Sequence, residues 1–420
     1  MKKKIIVIAL ISLLGGILIF ISFLSARYSE VFKKLSVIQE YAEKVNEFPD
    51  ADNISQILDW LNPEYKTFHI KHRPTFFSRM LATIGLNWPR WTIEGFKELL
   101  QEVTSKRQTQ GLEGRFVQKI VPFSESNFFI WGNLHGAFHS LVRDLVELEN
   151  LGVIDDSLNI INKDHYFIFI GNIIDRSASV LETVTLVLRL MQKNPGRVIY
   201  IKGDHEYQDN WINYCLRREL QLRAGHISAE DIPLKSEIDL FFGTLPLAVY
   251  LVSKENLNSD LVLISSIIFA DERLHMNVKK DFFTSDYALH HLGEDVGIKS
   301  KNDVDLKAVI RTKRWSLSAA QGELWGTEYY PYGGLHFLGI LHNVAEWAVL
   351  SSPTNTSRRL FNFHYDSFVR LRTKNGVDNW KLTVYNRDIR EHDAKFKKQS
   401  LDLIPGKQGL EAKEIKDSKL

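Results

Sequence analysis

Phe128-Phe129-Ile130-Trp131 runs into Gly132-Asn133-Leu134-His135-Gly136, and the same arrangement returns twice further along the chain. Tyr166-Phe167-Ile168-Phe169-Ile170 runs into Gly171-Asn172-Ile173-Ile174-Asp175-Arg176-Ser177, and Arg197-Val198-Ile199-Tyr200-Ile201 leads to Gly203-Asp204-His205-Glu206. Each apolar stretch has the length of a buried strand, and each is closed by a glycine that opens a polar loop. After the first loop, residues 139–151 set Leu141, Leu145, Leu148 and Leu151 along one side of a helix, and residues 180–192 predict another before the third strand. Strands alternating with helices predict an α/β sheet with helices on its faces. Such sheets gather ligands at the C-terminal ends of their strands, where short loops line a crevice. One polar residue after a buried strand is usually a turn or a cap, but three such loops in chain order are a stronger signal. Gly132, Gly136, Gly171 and Gly203 are expected to allow tight turns and close backbone approach there.

The 420 residues, 44% of them hydrophobic, are enough to bury a large core with a smaller region beside it. The 53 basic and 51 acidic residues leave a net charge of +2, which gives no support to a nucleic-acid partner. A single cysteine, Cys215, rules out an intramolecular disulfide and a thiol-rich metal site. At the amino end Lys2, Lys3 and Lys4 precede an unbroken apolar or small-residue run over residues 5–24. As a helix this run reaches about 30 Å, the thickness of the hydrocarbon layer. Residues 1–26 are therefore expected to be a transmembrane signal-anchor, making the protein a single-pass membrane protein. A cleaved signal peptide is the rival, but its apolar core is usually about 7–15 residues and its cleavage site wants a small residue two positions before Ala26, where Leu24 stands. The three lysines orient the amino end toward the cytoplasm, against the opposing pull of Arg27, Lys33 and Lys34.

Residues 27–120 read as a mostly helical juxtamembrane region. Residues 28–46 predict a helix or a simple stalk, and residues 53–61 a second helix ended at Asn62-Pro63. Residues 87–103 carry Trp88, Trp91, Ile93, Phe96, Leu99 and Leu100 at helical spacing. That helix is expected to pack on the main domain, with a lipid surface or partner groove as the alternative. Residues 107–115 read as a linker or a surface loop. Trp211 and Tyr214 are expected in the core, and residues 396–420 as a polar C-terminal tail, frayed beyond residue 406. A secretion signal in that tail is a weaker, purely compositional reading.

The three loops together resemble the calcineurin-like metallophosphoesterases, in particular the serine/threonine protein phosphatase branch. That family's pattern is Gly-Asp-x-His-Gly, then Gly-Asp-x-x-Asp-Arg-Gly, then Gly-Asn-His-Glu. The resemblance covers residues 127–206, and Leu245-Pro246-Leu247-Ala248 also looks like a segment before a core strand of this branch. It implies a sandwich of β-sheets flanked by helices, assigned to residues 121–395. It also implies hydrolysis by two metal ions about 3.5–4 Å apart, which orient a hydroxide and neutralise a phosphoryl group. Carried over by position, Asn133 and His135 stand at the first metal, Asn172 at the bridge and Asp204 at the second metal. His342, with His336 as runner-up, stands at the last histidine ligand, and Ser265-Ser266 where another histidine is usual. His205 with Asp175 matches the pair that protonates the leaving oxygen, and Arg176 matches the phosphate clamp.

The departures bear on the chemistry. Two carboxylates of the family pattern are amides here, and one amide is a carboxylate. Asn172 at the bridge offers one neutral oxygen and an NH₂ that would point donors at a cation. Asp204 returns one negative charge, enough with His135 for a single manganese or magnesium ion, or for no ion at all. The expectation is a membrane-anchored phosphatase-like module, weakly active or noncatalytic, binding a phosphorylated protein, a small phosphate ester or a protein partner. An active metal-dependent phosphomonoesterase with an atypical site is the alternative. A scaffold acting through the tryptophan-rich helix is a third. Asp175, Arg176 and His205 could equally form a hydrogen-bonded network that pins the loops.

Overall fold

The computed structural model describes residues 32–44, 91–123, 125–132, 134–175, 179–207, 210–224, 231–252, 261–266, 281–282, 285–293, 315–319, 365–374, 379–388, 394–406 and 409–414. The helices described are α1 (Leu35–Lys44), α2 (Ile93–Thr109), α3 (Phe138–Asn150), α4 (Val180–Lys193), α5 (Cys215–Ala224) and α6 (Lys235–Gly243). The strands are β1 (Phe116–Ile120), β2 (Ser126–Trp131), β3 (His165–Phe169), β4 (Val198–Tyr200), β5 (Ala248–Val252), β6 (Leu261–Ser266), β7 (Leu289–His291) and β8 (Trp315–Ala319). Four more follow: β9 (Tyr365–Thr373), β10 (Lys381–Asp388), β11 (Lys397–Gly406) and β12 (Gly409–Glu414). They form a five-stranded sheet, β7-β1-β5-β6-β8, and a seven-stranded one, β12-β11-β10-β9-β2-β3-β4, flanked by helices. This is the mixed α/β arrangement expected.

The three strands read from the sequence lie side by side and parallel, with Ile130 opposite Ile168 and Ile168 opposite Ile199. Parallel pairing in one register brings their C-terminal ends, and so the three polar loops, to one edge of the sheet. Aromatic side chains fill the face behind them. Trp131 stacks on Phe169 at 4.8 Å and its indole N–H donates to Asp144 of α3 at 3.0 Å, which ties strand to helix. On the other flank β2 pairs antiparallel with β9, whose buried Phe368 lies 5.8 Å from Trp131 and stacks on Tyr385 of β10 at 4.5 Å.

Several expectations are corrected. Within the polar tail expected over residues 396–420, the stretch beyond residue 406 is not frayed over residues 409–414: β12 pairs antiparallel with β11, Gly409 standing opposite Gly406. The main domain does not begin at residue 121, because β1 pairs parallel with β5 inside the five-stranded sheet. Nor is α1 a bare stalk. Leu35, Ile38, Tyr41 and Ala42 are buried, Phe32 and Tyr41 each lie 5.9 Å from Phe138, and Asp156 accepts the Ser36 N–H at 2.9 Å. Residues 107–115 are a linker only in part, since α2 runs on to Thr109. Its N-cap is Thr92, and its end is fixed by Arg107, which donates to the Thr244 carbonyl at 2.6 Å. Trp91, Phe96, Leu99 and Leu100 are buried, so this helix packs inward as expected. None of the described helices is long and apolar enough to cross a membrane, and the anchor expected over residues 5–24, like the helix expected over 53–61, lies outside the described residues.

Because Phe368 joins the antiparallel half of the sheet to Trp131, Phe368→Ala is expected to lower stability by about 3–5 kcal/mol. Urea unfolding checks this: the midpoint should fall with the slope unchanged, and an unaltered midpoint would mean that the two halves of the sheet do not share a core.

Candidate functional site

The loops after β3 and β4 meet over the carboxylate of Glu206, which is fully buried. Its Oε2 accepts the N–H groups of Asn172 and Gly203, both at 2.9 Å, and its Oε1 accepts the Ile173 N–H at 2.9 Å and the Tyr200 hydroxyl at 2.7 Å. Four donors occupy the lone-pair directions a carboxylate has to offer. Burial pushes the Glu206 carboxyl up from its ordinary range, against the pull of the Tyr200 hydroxyl and the backbone N–H groups. The Tyr200 hydroxyl is pushed well up in turn by burial and by Glu206, which keeps it a donor. The first loop joins by backbone: the N–H of His135 donates to the Asn172 carbonyl at 2.9 Å and that of Gly136 to the Ile173 carbonyl at 2.7 Å.

This close meeting requires unusual backbone. His135, Asn172 and Asp175 have φ of 48°, 52° and 71°, in the left-handed region that L-residues rarely enter. Such strain persists only where neighbouring bonds over-determine it. Gly171, at φ 84°, approaches so closely that a Cβ there would stand 2.6 Å from the Gly203 Cα.

The expected Asp175 and His205 pair is formed. Asp175 Oδ2 lies 2.8 Å from His205 Nδ1, while Oδ1 accepts the Leu216 N–H at 2.9 Å. Both residues are buried. The carboxylate accepts from Nδ1 and so fixes the orientation of the His205 ring; when that ring is protonated, Nε2 can offer a proton to an anionic oxygen. His135 stands 5.0 Å away, edge to face, with Nδ1 held 3.0 Å from the Ile174 carbonyl. With Nδ1 donating to that carbonyl, the neutral tautomer would carry its lone pair on Nε2. On the open side Tyr214, 44% exposed, brings its ring within 4.9 Å of His205. This corrects the expectation that Tyr214 is a core residue; Trp211 is the buried one, donating to Asp239 at 2.8 Å.

Asn172 Oδ1 accepts the backbone N–H of His205 at 3.2 Å, so the amide at the bridge position cross-links the second and third loops. Asp204 is half-buried and its carbonyl accepts Asn210 Nδ2–H at 2.8 Å. Asn133, Arg176, His342 and His336 lie outside the described residues, and Ser265 and Ser266 are placed only as residues of β6, opposite Ala248 and Ala319. Among the described residues no group of three or more His, Cys, Asp or Glu side chains could hold a metal ion. Of the groups described there, the Asp175 and Glu206 carboxylates are taken up by N–H and O–H donors, and the Asn172 amide brings no charge. Sequence reasoning also missed Lys202, whose ammonium lies 6.0 Å from the Tyr207 ring. Burial lowers its pKa to about 8, partly offset by Glu206. Its only signal was its place, one residue before Gly203.

No family model matches the chain. It is 37% identical over 101 residues to the serine/threonine-protein phosphatase SIT4 of Candida albicans, a stretch that covers 24% of this chain and 30% of that relative. The chain thus spans less than a third of the length of the curated relative it matches. Among solved structures, a Saccharomyces cerevisiae protein serine/threonine phosphatase aligns at a TM-score of 0.33 and 17% identity, covering 53% of this chain and 62% of that one. The cold-active protein-tyrosine phosphatase of a psychrophilic Shewanella species aligns at 0.35 and 12% identity, covering 67% and 81%.

A Cβ added at Gly203 would stand 2.6 Å from the Asn172 nitrogen and 2.7 Å from the Glu206 carboxylate. Gly203→Ala should therefore cost about 3 kcal/mol by overpacking, read as a lower urea midpoint. Stability equal to wild type would mean that these loops do not meet as described.

Proposed function

We propose, from the premise that this chain belongs by its homologous stretch to the serine/threonine phosphatase-like branch of the calcineurin-like superfamily, that it is a membrane-anchored binding module which recognises phosphorylated ligands without hydrolysing them. The observation that carries this reading is the hydrogen bond from the His205 N–H to Asn172 Oδ1. At the position where the family resemblance implies a carboxylate shared by two cations, a neutral amide spends its oxygen on the protein's own backbone. Loops tied together in this way keep their arrangement with no ion to organise them. What the site retains is suited to an anion: the Asp175–His205 pair, and Arg176 as the expected fork for two phosphoryl oxygens. The occupant is a phosphorylated protein or a small phosphate ester.

Asp204 favours a second reading. It is the one carboxylate the loops gain over the family pattern, and with His135 it could hold a single manganese or magnesium ion in a weakly active phosphomonoesterase. Titrating manganese into the chelator-treated full chain in detergent separates the two. The expected outcome is no binding of a pair of ions, aryl-phosphate turnover no faster than that of His205→Ala, and binding of inorganic phosphate weakened about tenfold by Arg176→Ala. Two tightly bound ions per chain, or turnover lost in His205→Ala, would overturn the noncatalytic reading.

The membrane part of the proposal rests on the apolar run over residues 5–24. An alkaline carbonate wash should leave the full chain in the membrane pellet, and deleting residues 1–26 should release it. Release of the full chain by carbonate would count against an anchor.

A further inference from the structure

Behind the site, buried side chains from α1, α4 and α5, with Trp91 from just before α2, cluster around one guanidinium. Arg223, in the last turn of α5, donates to Glu182 of α4 and to Glu219 of its own helix, at 2.8 Å for the latter. Glu182 also accepts the hydroxyl of Tyr41 from α1 at 3.0 Å, and Glu219 accepts the Leu181 N–H at the start of α4 at 3.1 Å. The guanidinium lies 4.6 Å from the Trp91 ring, whose indole N–H donates to Thr185 at 2.7 Å. Tyr41, Trp91, Glu182 and Glu219 are each no more than 5% exposed. Burial raises the Tyr41 hydroxyl well above its ordinary range, aided by Glu182, so it serves as a donor.

The opposite end of the same short helix reaches the site. The Leu216 N–H holds Asp175 Oδ1, and Tyr214, just before α5 begins, stands against the His205 ring. Any tilt or slide of α5 therefore moves the two contacts that orient the Asp175–His205 pair. Apolar packing holds α5 through Cys215, Leu216 and Leu220, toward its start. The end near Ala224 is held by the charge cluster, in which one cation serves two buried carboxylates that would otherwise face each other uncompensated.

We infer that Arg223 is a positioning residue: it converts the docking of the amino-terminal helix α1 into the alignment of Asp175 and His205 by locking the helix that holds Asp175. The inference rests on the reading of that pair as the anion-binding element, and it makes the segment next to the expected anchor a working part of the site.

The test uses the full chain in detergent micelles and compares amide hydrogen exchange at Leu216 with that at Ile168 in β3. Tyr41→Phe removes a single hydroxyl from the cluster, Arg223→Met removes the cation, and Arg223→Lys keeps the charge without the fork. The expected result is exchange at Leu216 about tenfold faster in Tyr41→Phe and faster still in Arg223→Met, with partial recovery in Arg223→Lys and Ile168 unchanged. Inorganic phosphate affinity should fall in the same order. Wild-type exchange at Leu216 in folded Tyr41→Phe and Arg223→Met overturns the inference. Should Arg223→Met fail to fold, Tyr41→Phe and Arg223→Lys decide it by the same comparison. A wild-type chain that binds no phosphate overturns the functional reading alone, because exchange at Leu216 needs no ligand.

Discussion

A single buried carboxylate organises the rim of the central sheet. Three backbone N–H groups, from the turn after β3 and the turn after β4, point into a space closed to water, where unpaired donors would each be costly. Glu206 meets all three and takes the Tyr200 hydroxyl as a fourth. Its position is possible only because Gly171 and Gly203 let the two turns touch. The left-handed backbone at Asn172 and Asp175 is then a consequence: with both ends of the turn held, the residues between them adopt the torsions that remain.

The same economy explains how the site differs from the pattern it resembles. In a two-metal centre, cations hold the surrounding carboxylates together, and removing the cations leaves negative charges repelling one another. Here the two fully buried carboxylates, Glu206 and Asp175, are each matched by protein donors. Asp175 is shared between His205 and the Leu216 N–H, and the amide of Asn172 adds no charge while joining two loops. At Asn172 a neutral amide bonded to the protein's own backbone thus stands where the pattern has a carboxylate.

The parallel core was legible because buried strands that stop at glycine are a short-range signal: the runs ending at Gly132 and Gly171, and the one reaching Gly203, gave strands and loops within a residue or two. Strands β11 and β12 were not. Lys397-Lys398-Gln399-Ser400 and Gly409-Leu410-Glu411-Ala412-Lys413-Glu414 are polar sequences without a clear strand pattern, and in the structure they pair antiparallel with their neighbours. Tyr214 failed for a related reason, since an aromatic residue after a motif carries no mark telling core from cleft. The role of Glu206 was equally hidden. A glutamate beside a histidine reads as polar surface until two distant turns are seen to converge on it. Asp175 and His205 were found through the family pattern, and no spacing rule would have paired them across 30 residues.

The seven-stranded sheet also constrains how the chain can reach this state. Strand β2, which carries the first loop, pairs on one side with β3 and on the other with β9, so that Ser126 lies opposite Thr373. During synthesis from the amino end, β2, β3 and β4 are complete long before residues 365–373 exist. Until then one side of β2 presents a row of unsatisfied peptide groups flanked by Phe128, Phe129 and Trp131, an open template for any passing strand. A nascent chain of this topology depends on whatever shields that edge, whether chaperone, ribosome surface or rapid completion, and its yield is set as much by the interval before β9 arrives as by the stability of the finished fold.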